Sequence, residues 1–222
     1  MFGFDLCSHK HCNKPVICRS SDPDFYDEDA EHTYSYYCSE HCEDNEKVRL
    51  FVTNYILNRN IIAGLSLSGI HLKDCDFTGK RFYGCNFQHC SFMNVQAEGC
   101  KIHMSVFDFS VFTDCNMVGS NIQFSSFAGS AFSHAIFTNS ELIHNNFNGI
   151  TAIQSSFDDS DLYNSRFIRS NLLQTSFRNC NIKKACFYES KQTDISFRLS
   201  NTREALFSPE KEEEFFSSGS TK

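Results

Sequence analysis

The sequence predicts a solenoid built on a five-residue repeat, and three observations point to it. Every fifth residue from Leu67 to Phe207 is bulky and apolar: of 29 positions, 16 are Phe, five Leu, three Ile and one Met, and only Ala97, Ala152, Gln192 and Thr202 interrupt the series. Those 16 are two thirds of the chain's 24 Phe, gathered into one residue class in five. Two residues before each bulky position lies a small one, since 22 of the 28 positions from Ile70 to Ala205 are Ser, Ala, Cys or Thr. Finally, no Pro occurs between Pro23 and Pro209, which leaves every amide available to a hydrogen-bonded ladder. A helix repeats about every 3.6 residues and a strand about every 2, so neither explains the period. A repeat this long implies units that bury their apolar face by stacking on neighbours. Large and small inward residues in alternation fill a narrow interior to native density.

Units such as Cys85-Asn86-Phe87-Gln88-His89, Cys90-Ser91-Phe92-Met93-Asn94 and Ser160-Asp161-Leu162-Tyr163-Asn164 resemble the pentapeptide-repeat proteins. That family's pattern is a small residue, a polar one, a central Leu or Phe, then two variable residues. The resemblance covers about two thirds of the chain. It implies an all-β solenoid, a right-handed quadrilateral β-helix in which four pentapeptides make one coil. Sorting central residues by twenty puts Phe87, Phe107, Phe127, Phe147, Phe167, Phe187 and Phe207 on one face. Phe82, Ile102, Ile122, Leu142, Leu162 and Ile182 fall on another. At the spacing of neighbouring strands, about seven such coils make a rod of roughly 34 Å.

The first 45 residues belong to no repeat, and their cysteines are spaced as metal ligands. Cys7 and Cys12 precede an acidic loop from Asp22 to Glu31, and Cys38 and Cys42 follow it. Two close pairs about 25 residues apart suit a tetrahedral zinc with four cysteine ligands, Cys7, Cys12, Cys38 and Cys42. The second pair is similar to that of treble-clef-like fingers, in which an aromatic precedes Cys-Ser-x-x-Cys at a helix start. The first pair has four residues between its cysteines rather than two, and His9, His11, Cys18, His32 and His41 could each replace a ligand. So short a segment has little apolar core beyond Phe25, Tyr34, Tyr36 and Tyr37, and a metal would supply its stability.

Glu43 to Asn60 reads as a helix, with Val48, Phe51, Val52, Tyr55 and Ile56 at helical spacing. A solenoid end exposes strand edges and apolar side chains, so this helix serves as the lid at the N-terminal end. At the far end Ser208-Pro209-Glu210 signals a short helix that would lay Phe215 and Phe216 over the last coil. Ser217 to Lys222 reads as a tail without structure. The expected organisation is thus a zinc-binding module over 1–45, a capping helix over 46–61, the repeat over 62–208, and a short helix with its tail over 209–222.

The net charge of −7 is unevenly distributed. Residues 1–61 carry 11 acids and 6 Lys or Arg, 62–208 carry 12 of each, and the remainder contributes −2. The rod is neutral overall, with its basic residues gathered past Leu162. No apolar run approaches the ~20 residues of a membrane span and no basic secretory start is present, so a cytoplasmic protein is expected. Six of the twelve cysteines, Cys75, Cys85, Cys90, Cys100, Cys115 and Cys180, occupy the small inward slot. There a thiol acts as a small hydrophobe rather than as a disulfide partner.

No P-loop, dinucleotide glycine pattern, HExxH or GxSxG occurs, and a zinc held by four protein ligands has no open position for catalysis. The chain is therefore expected not to be an enzyme and to take no small-molecule substrate. Met104, Val106, Phe109 and Phe124 face outward where polar residues are the rule, with Val111 one corner on and Ile153 and Leu173 forming a second outward pair. Such residues suggest a partner surface. The leading reading is a protein-interaction scaffold whose partner the sequence does not name, with homodimerisation through a rod end as a further expectation. A second reading is a DNA mimic that protects gyrase, a role known in the family that needs an acidic rod. A third is nucleic-acid binding by the zinc head and the basic coils, which the acidic head disfavours.

Overall fold

A computed structural model describes residues 5–22, 25 and 36–208. His32, Tyr34, most of the acidic loop and the expected helix from Glu210 to Phe216 lie outside the described residues. From Ile61 onward the chain winds as a β-helix, because residues twenty apart pair in parallel. Phe92 is opposite Phe112, Phe112 opposite Phe132, Phe132 opposite Ala152, and Ala152 opposite Leu172. One face is a seven-stranded parallel sheet from His71–Lys73 to Lys191–Thr193, which gives seven levels. Bridges at the same spacing, such as Val106 to Ser126 and Asn116 to Ile136, run up two further faces. The fourth begins as a four-stranded sheet and continues through Asn121, Glu141, Asp161 and Asn181.

Inward residues fill the rod as the repeat predicts. Phe127 is fully buried and stacks between Phe107 at 4.9 Å and Phe147 at 5.1 Å. The single aromatic ladder read from the sequence is one of three. Phe92, Phe112 and Phe132 stack on the seven-stranded face, and Phe137, Phe157 and Phe177 stack on a third. The small slots have a second role, since serines there bridge coils. Ser130 Oγ accepts the Ser110 amide at 3.0 Å and donates to the Phe107 carbonyl at 2.7 Å. A hydroxyl is therefore tolerated in the core because both of its hydrogen-bonding capacities are met. Cys100 occupies the same slot and donates to the Phe77 carbonyl at 2.8 Å.

Lys80 departs from this rule, since it occupies a small slot and is nonetheless buried. Its ammonium donates to the carbonyls of Leu57 at 2.9 Å and Arg59 at 2.8 Å. Both acceptors lie at the end of α1 (Asn45–Leu57), a helix with no basic residue in its own last turn. The rod thus supplies the cation that the helix C-terminus favours.

Around α1 the rest of the head closes the first coil. The helix begins at the Asp44 N-cap, shorter at both ends than the segment from Glu43 to Asn60, and buries Val48, Val52, Tyr55 and Ile56. Phe25 packs edge-on against Phe51 and Tyr55, and the Tyr55 hydroxyl donates to Asp22 at 2.6 Å. Strand β1 (Cys18–Arg19) pairs antiparallel with Ser66–Leu67 and covers that edge of the solenoid. Gly64 allows the approach: its φ is +63°, and a Cβ there would lie 2.1 Å from Ser21 Oγ.

Candidate metal centre and interaction face

Among the described residues two places bring chemistry together, and the first is in the head. Backbone bonds from Cys7 to Lys14 (2.9 Å) and from Cys12 to His9 (3.0 Å) fold residues 7–14 into a tight loop. The Ser8 and Ile17 amides then bond the carbonyls of Tyr36 and Tyr37, each at 2.8 Å. This ties the second ligand segment to the first. Cys7, Cys12, Cys38 and His41 meet there, with their ligand atoms all within 4.8 Å of one another, and such a cluster could hold a metal ion.

Three of the separations are close to those about a single ion. Cys12 Sγ to Cys38 Sγ is 3.8 Å, and His41 Nδ1 lies 3.3 Å from Cys38 Sγ and 3.5 Å from Cys7 Sγ. A tetrahedron with bonds of about 2.3 Å to sulfur and about 2.0 Å to nitrogen has edges of roughly 3.5 to 3.8 Å. The set differs from the four cysteines expected, because His41 stands where Cys42 was placed. The reason is the turn after Cys38, whose carbonyl accepts the amides of both His41 (3.0 Å) and Cys42 (2.9 Å). That turn aims the His41 ring back at Cys38 and leaves Cys42 packed against the hydrophobic core. His9 and His11 are exposed and outside the cluster, with His9 stacked on the His41 ring at 3.8 Å. Cys18 is fully buried away from it.

Electrostatics separate head thiols from rod thiols. Burial raises the Cys7 pKa, but the Cys38 and His9 amides and the His41 ring outweigh it and lower it to about 6. The Lys14 amide lowers that of Cys12, yet burial and the neighbouring Cys7 and Cys38 prevail and leave it raised. Crowded thiols of this kind resist full ionisation unless a cation joins them. In the rod, burial pushes Cys85, Cys90 and Cys100 up to about 12.

The second place is the outer surface over the Phe107–Phe127–Phe147 ladder. Each coil turns its corners with a residue in the left-handed region, and most such corners in the rod are Gly, Asn, Asp or His. Met104, Phe109 and Phe124 are at corners with φ of 51°, 59° and 52°, and they are 61%, 58% and 60% exposed. All three border this one face, and Val106 lies half-buried between their corners. Phe124 stacks on His144 at 5.0 Å along one corner. Phe109 stacks on His89 at 5.4 Å along the other, and its ring lies where a Cβ on Gly129 would come within 2.7 Å. Val111, one corner on, is exposed. Ile153 and Leu173 pair in register but are half-buried, so this second outward pair packs between coils.

A polar cleft beside α1 contains Glu46, Arg49, His71 and Lys73. Arg49 is paired with Glu46 at 2.8 Å, and Ser39, Asn45 and Asp74 also line the cleft. Among the described residues no helix is long and apolar enough to cross a membrane.

Comparison with known proteins accords with the repeat. Residues 130–207 match the family model described as the pentapeptide repeat region, and 66–103 match that of pentapeptide repeats in eight copies. No curated protein sequence matches. Among solved structures, the pentapeptide repeat protein Rfr23 from the cyanobacterium Cyanothece 51142 is 11% identical, with a TM-score of 0.43 over 72% of this chain and 99% of its own. HetL, involved in heterocyst differentiation regulation in Nostoc sp., is 7% identical, with a TM-score of 0.33 over 70% and 94%. The plasmid-mediated fluoroquinolone resistance protein QnrB1 is 15% identical, with a TM-score of 0.31 over 72% and 97%. On its repeat, its parallel ladders and the two family matches, the chain belongs to the pentapeptide-repeat family.

Proposed function

We propose that this protein is a non-catalytic interaction scaffold. Its rod holds an apolar face toward a protein partner, and a structural zinc on Cys7, Cys12, Cys38 and His41 fastens the head that closes the first coil. The observation that carries the reading is the position of Met104, Phe109 and Phe124, large apolar side chains at exposed left-handed corners of one face. A left-handed residue other than Gly, Asn or Asp costs about 1–2 kcal/mol, and an exposed aromatic recovers little of that by burial. Strain of this kind is retained where a binding surface needs the side chain. Zinc suits the donor set, because three sulfurs and one imidazole nitrogen in a closed tetrahedron form a structural site with no position for a substrate.

Charge favours a protein partner over gyrase protection or nucleic-acid binding. A DNA mimic presents a continuous acidic field, whereas this rod carries 12 acids and 12 bases, with Arg166 and Arg169 on the same face as Phe124. The test is affinity capture from source extract, comparing the full chain with a Met104→Ser, Phe109→Ser, Phe124→Ser variant of matched thermal stability. At least one protein captured by the wild type should be lost from the variant. Identical sets of captured proteins would refute the assignment of this face.

A further inference from the structure

Resting on the reading above, the partner's chemistry follows from how the same face changes along the rod axis. Its middle coils are apolar at their corners, with Met104, Phe109 and Phe124, after a polar coil that carries Asn86, Gln88 and His89. The next coils are small and uncharged: Ser126 and Ala128 lie on the surface, Asn146 bonds Ser126 at 3.1 Å, and Gly129 and Gly149 leave one corner without side chains. The one carboxylate low on the face, Asp108, is occupied by the Ser126 hydroxyl at 2.5 Å and the Ala128 amide at 2.9 Å. Farther along, the face turns basic. Arg166 and Lys184 are exposed, and among the described residues neither has a carboxylate partner, whereas Arg169 is paired with Glu189 at 2.5 Å. Lys184 instead lies 5.6 Å from the Tyr163 ring.

We infer that this face docks an extended protein segment along the rod axis, with a large apolar residue seated between Phe109 and Phe124 and acidic residues facing Arg166 and Lys184. The spacing follows from the coil repeat. Arg166 lies two coils and Lys184 three coils beyond Phe124, a distance of roughly 10–15 Å at about 4.8 Å per coil. An extended segment rises about 3.3 Å per residue, so anchor and acids are about three to five residues apart in the partner. Small side chains between the two zones let the segment lie close to the surface. A single-stranded nucleic acid could stack on the aromatics, but it carries a phosphate at every nucleotide, and among the described residues only two cations without a carboxylate lie on this face.

The test is selection of short random peptides displayed on phage against the full chain, followed by fluorescence anisotropy with the selected peptides. Selected sequences should share a large apolar residue and, about three to five positions away, one or more Asp or Glu. Phe124→Asn should weaken binding at least about tenfold, and Arg166→Glu with Lys184→Glu should weaken it and reverse the preference toward basic peptides. All these positions are exposed, and circular dichroism would confirm that the variants fold. Binding lost in Phe124→Asn but unaltered by the charge reversals would refute the acidic-segment inference and leave the apolar face standing. Binding unaltered by Phe124→Asn would refute both. Binding of a labelled oligo-uridine that is lost in the same variants would replace the peptide by nucleic acid.

Discussion

Phe127→Ala removes a ring from the middle of the longest aromatic ladder, and the structure sets the size of the effect. The ring is fully buried, stacked on Phe107 and Phe147 at 4.9 and 5.1 Å, with Phe112 and Phe132 at 5.9 and 6.0 Å. Truncation of a buried Phe costs about 3–5 kcal/mol, and more when the site cannot collapse. Here collapse is limited because the coils are held apart by main-chain bonds, such as Phe127 to Asn146 at 2.8 Å and Phe107 to Ser126 at 2.7 Å. A cost near the upper end, about 4–5 kcal/mol, is expected. With a urea slope of about 3 kcal/mol per molar, the midpoint falls by roughly 1.5 M. The half-exposed Gln123, on an adjacent face of the same coil, is the control, and Gln123→Ala should cost less than about 0.5 kcal/mol. Circular dichroism through a urea titration measures both. Phe127→Ala within about 0.5 kcal/mol of the control would refute the inward assignment and the ladder with it.

Three further outcomes are expected. Lys80→Met keeps the buried stem but removes the two bonds to the end of α1; it should cost about 2–3 kcal/mol and speed amide exchange in the last turn of α1, and unchanged exchange would show that the helix holds without it. Protein purified without added metal should carry roughly one zinc per chain by elemental analysis, largely lost in Cys38→Ser and retained in Cys42→Ser; loss in both variants would restore the four-cysteine set. The raised pKa of Cys85, Cys90 and Cys100 favours the folded state fully below the ordinary thiol value of 9.0, and that contribution is lost as pH rises toward about 12. The urea midpoint should therefore fall between about pH 8 and pH 10.5, and fall less in Cys90→Ala; equal falls would mean that the thiol ionises in place.

Much of this fold is legible in the sequence because a five-residue period leaves little freedom: once Phe87, Phe107 and Phe127 are twenty apart, their stacking follows. The ladders of Phe112 and Phe157 are harder to see because Ala152 and Ala97 interrupt their columns. Lys80 is hidden for a different reason, since a charge in an inward slot makes sense only when α1 is known to end above it. Its one available signal is being the only charged residue among the small slots. The cluster that could hold a metal ion shares three of its four residues with the set expected from the sequence. Spacing alone cannot say whether His41 or Cys42 faces Cys38, because a turn that bonds both amides to one carbonyl decides it. The exposed face is legible as outward apolar residues, but the left-handed backbone beneath Met104, Phe109 and Phe124 is not, because it belongs to the corner that every coil makes, Gln154, Gln174 and Leu199 included.

The most direct test of the interaction face is site-specific photo-crosslinking in source extract. One chain carries benzoylphenylalanine at Ala128, on the floor between the Phe109 and Phe124 corners, and another carries it at Thr138, in the equivalent slot of the opposite face. Both positions are half-buried and outward, so the two chains should fold alike. The account predicts a discrete crosslinked protein from Ala128, abolished by Phe124→Asn, and none from Thr138. Crosslinks of equal yield from both positions, or from Thr138 alone, would contradict it.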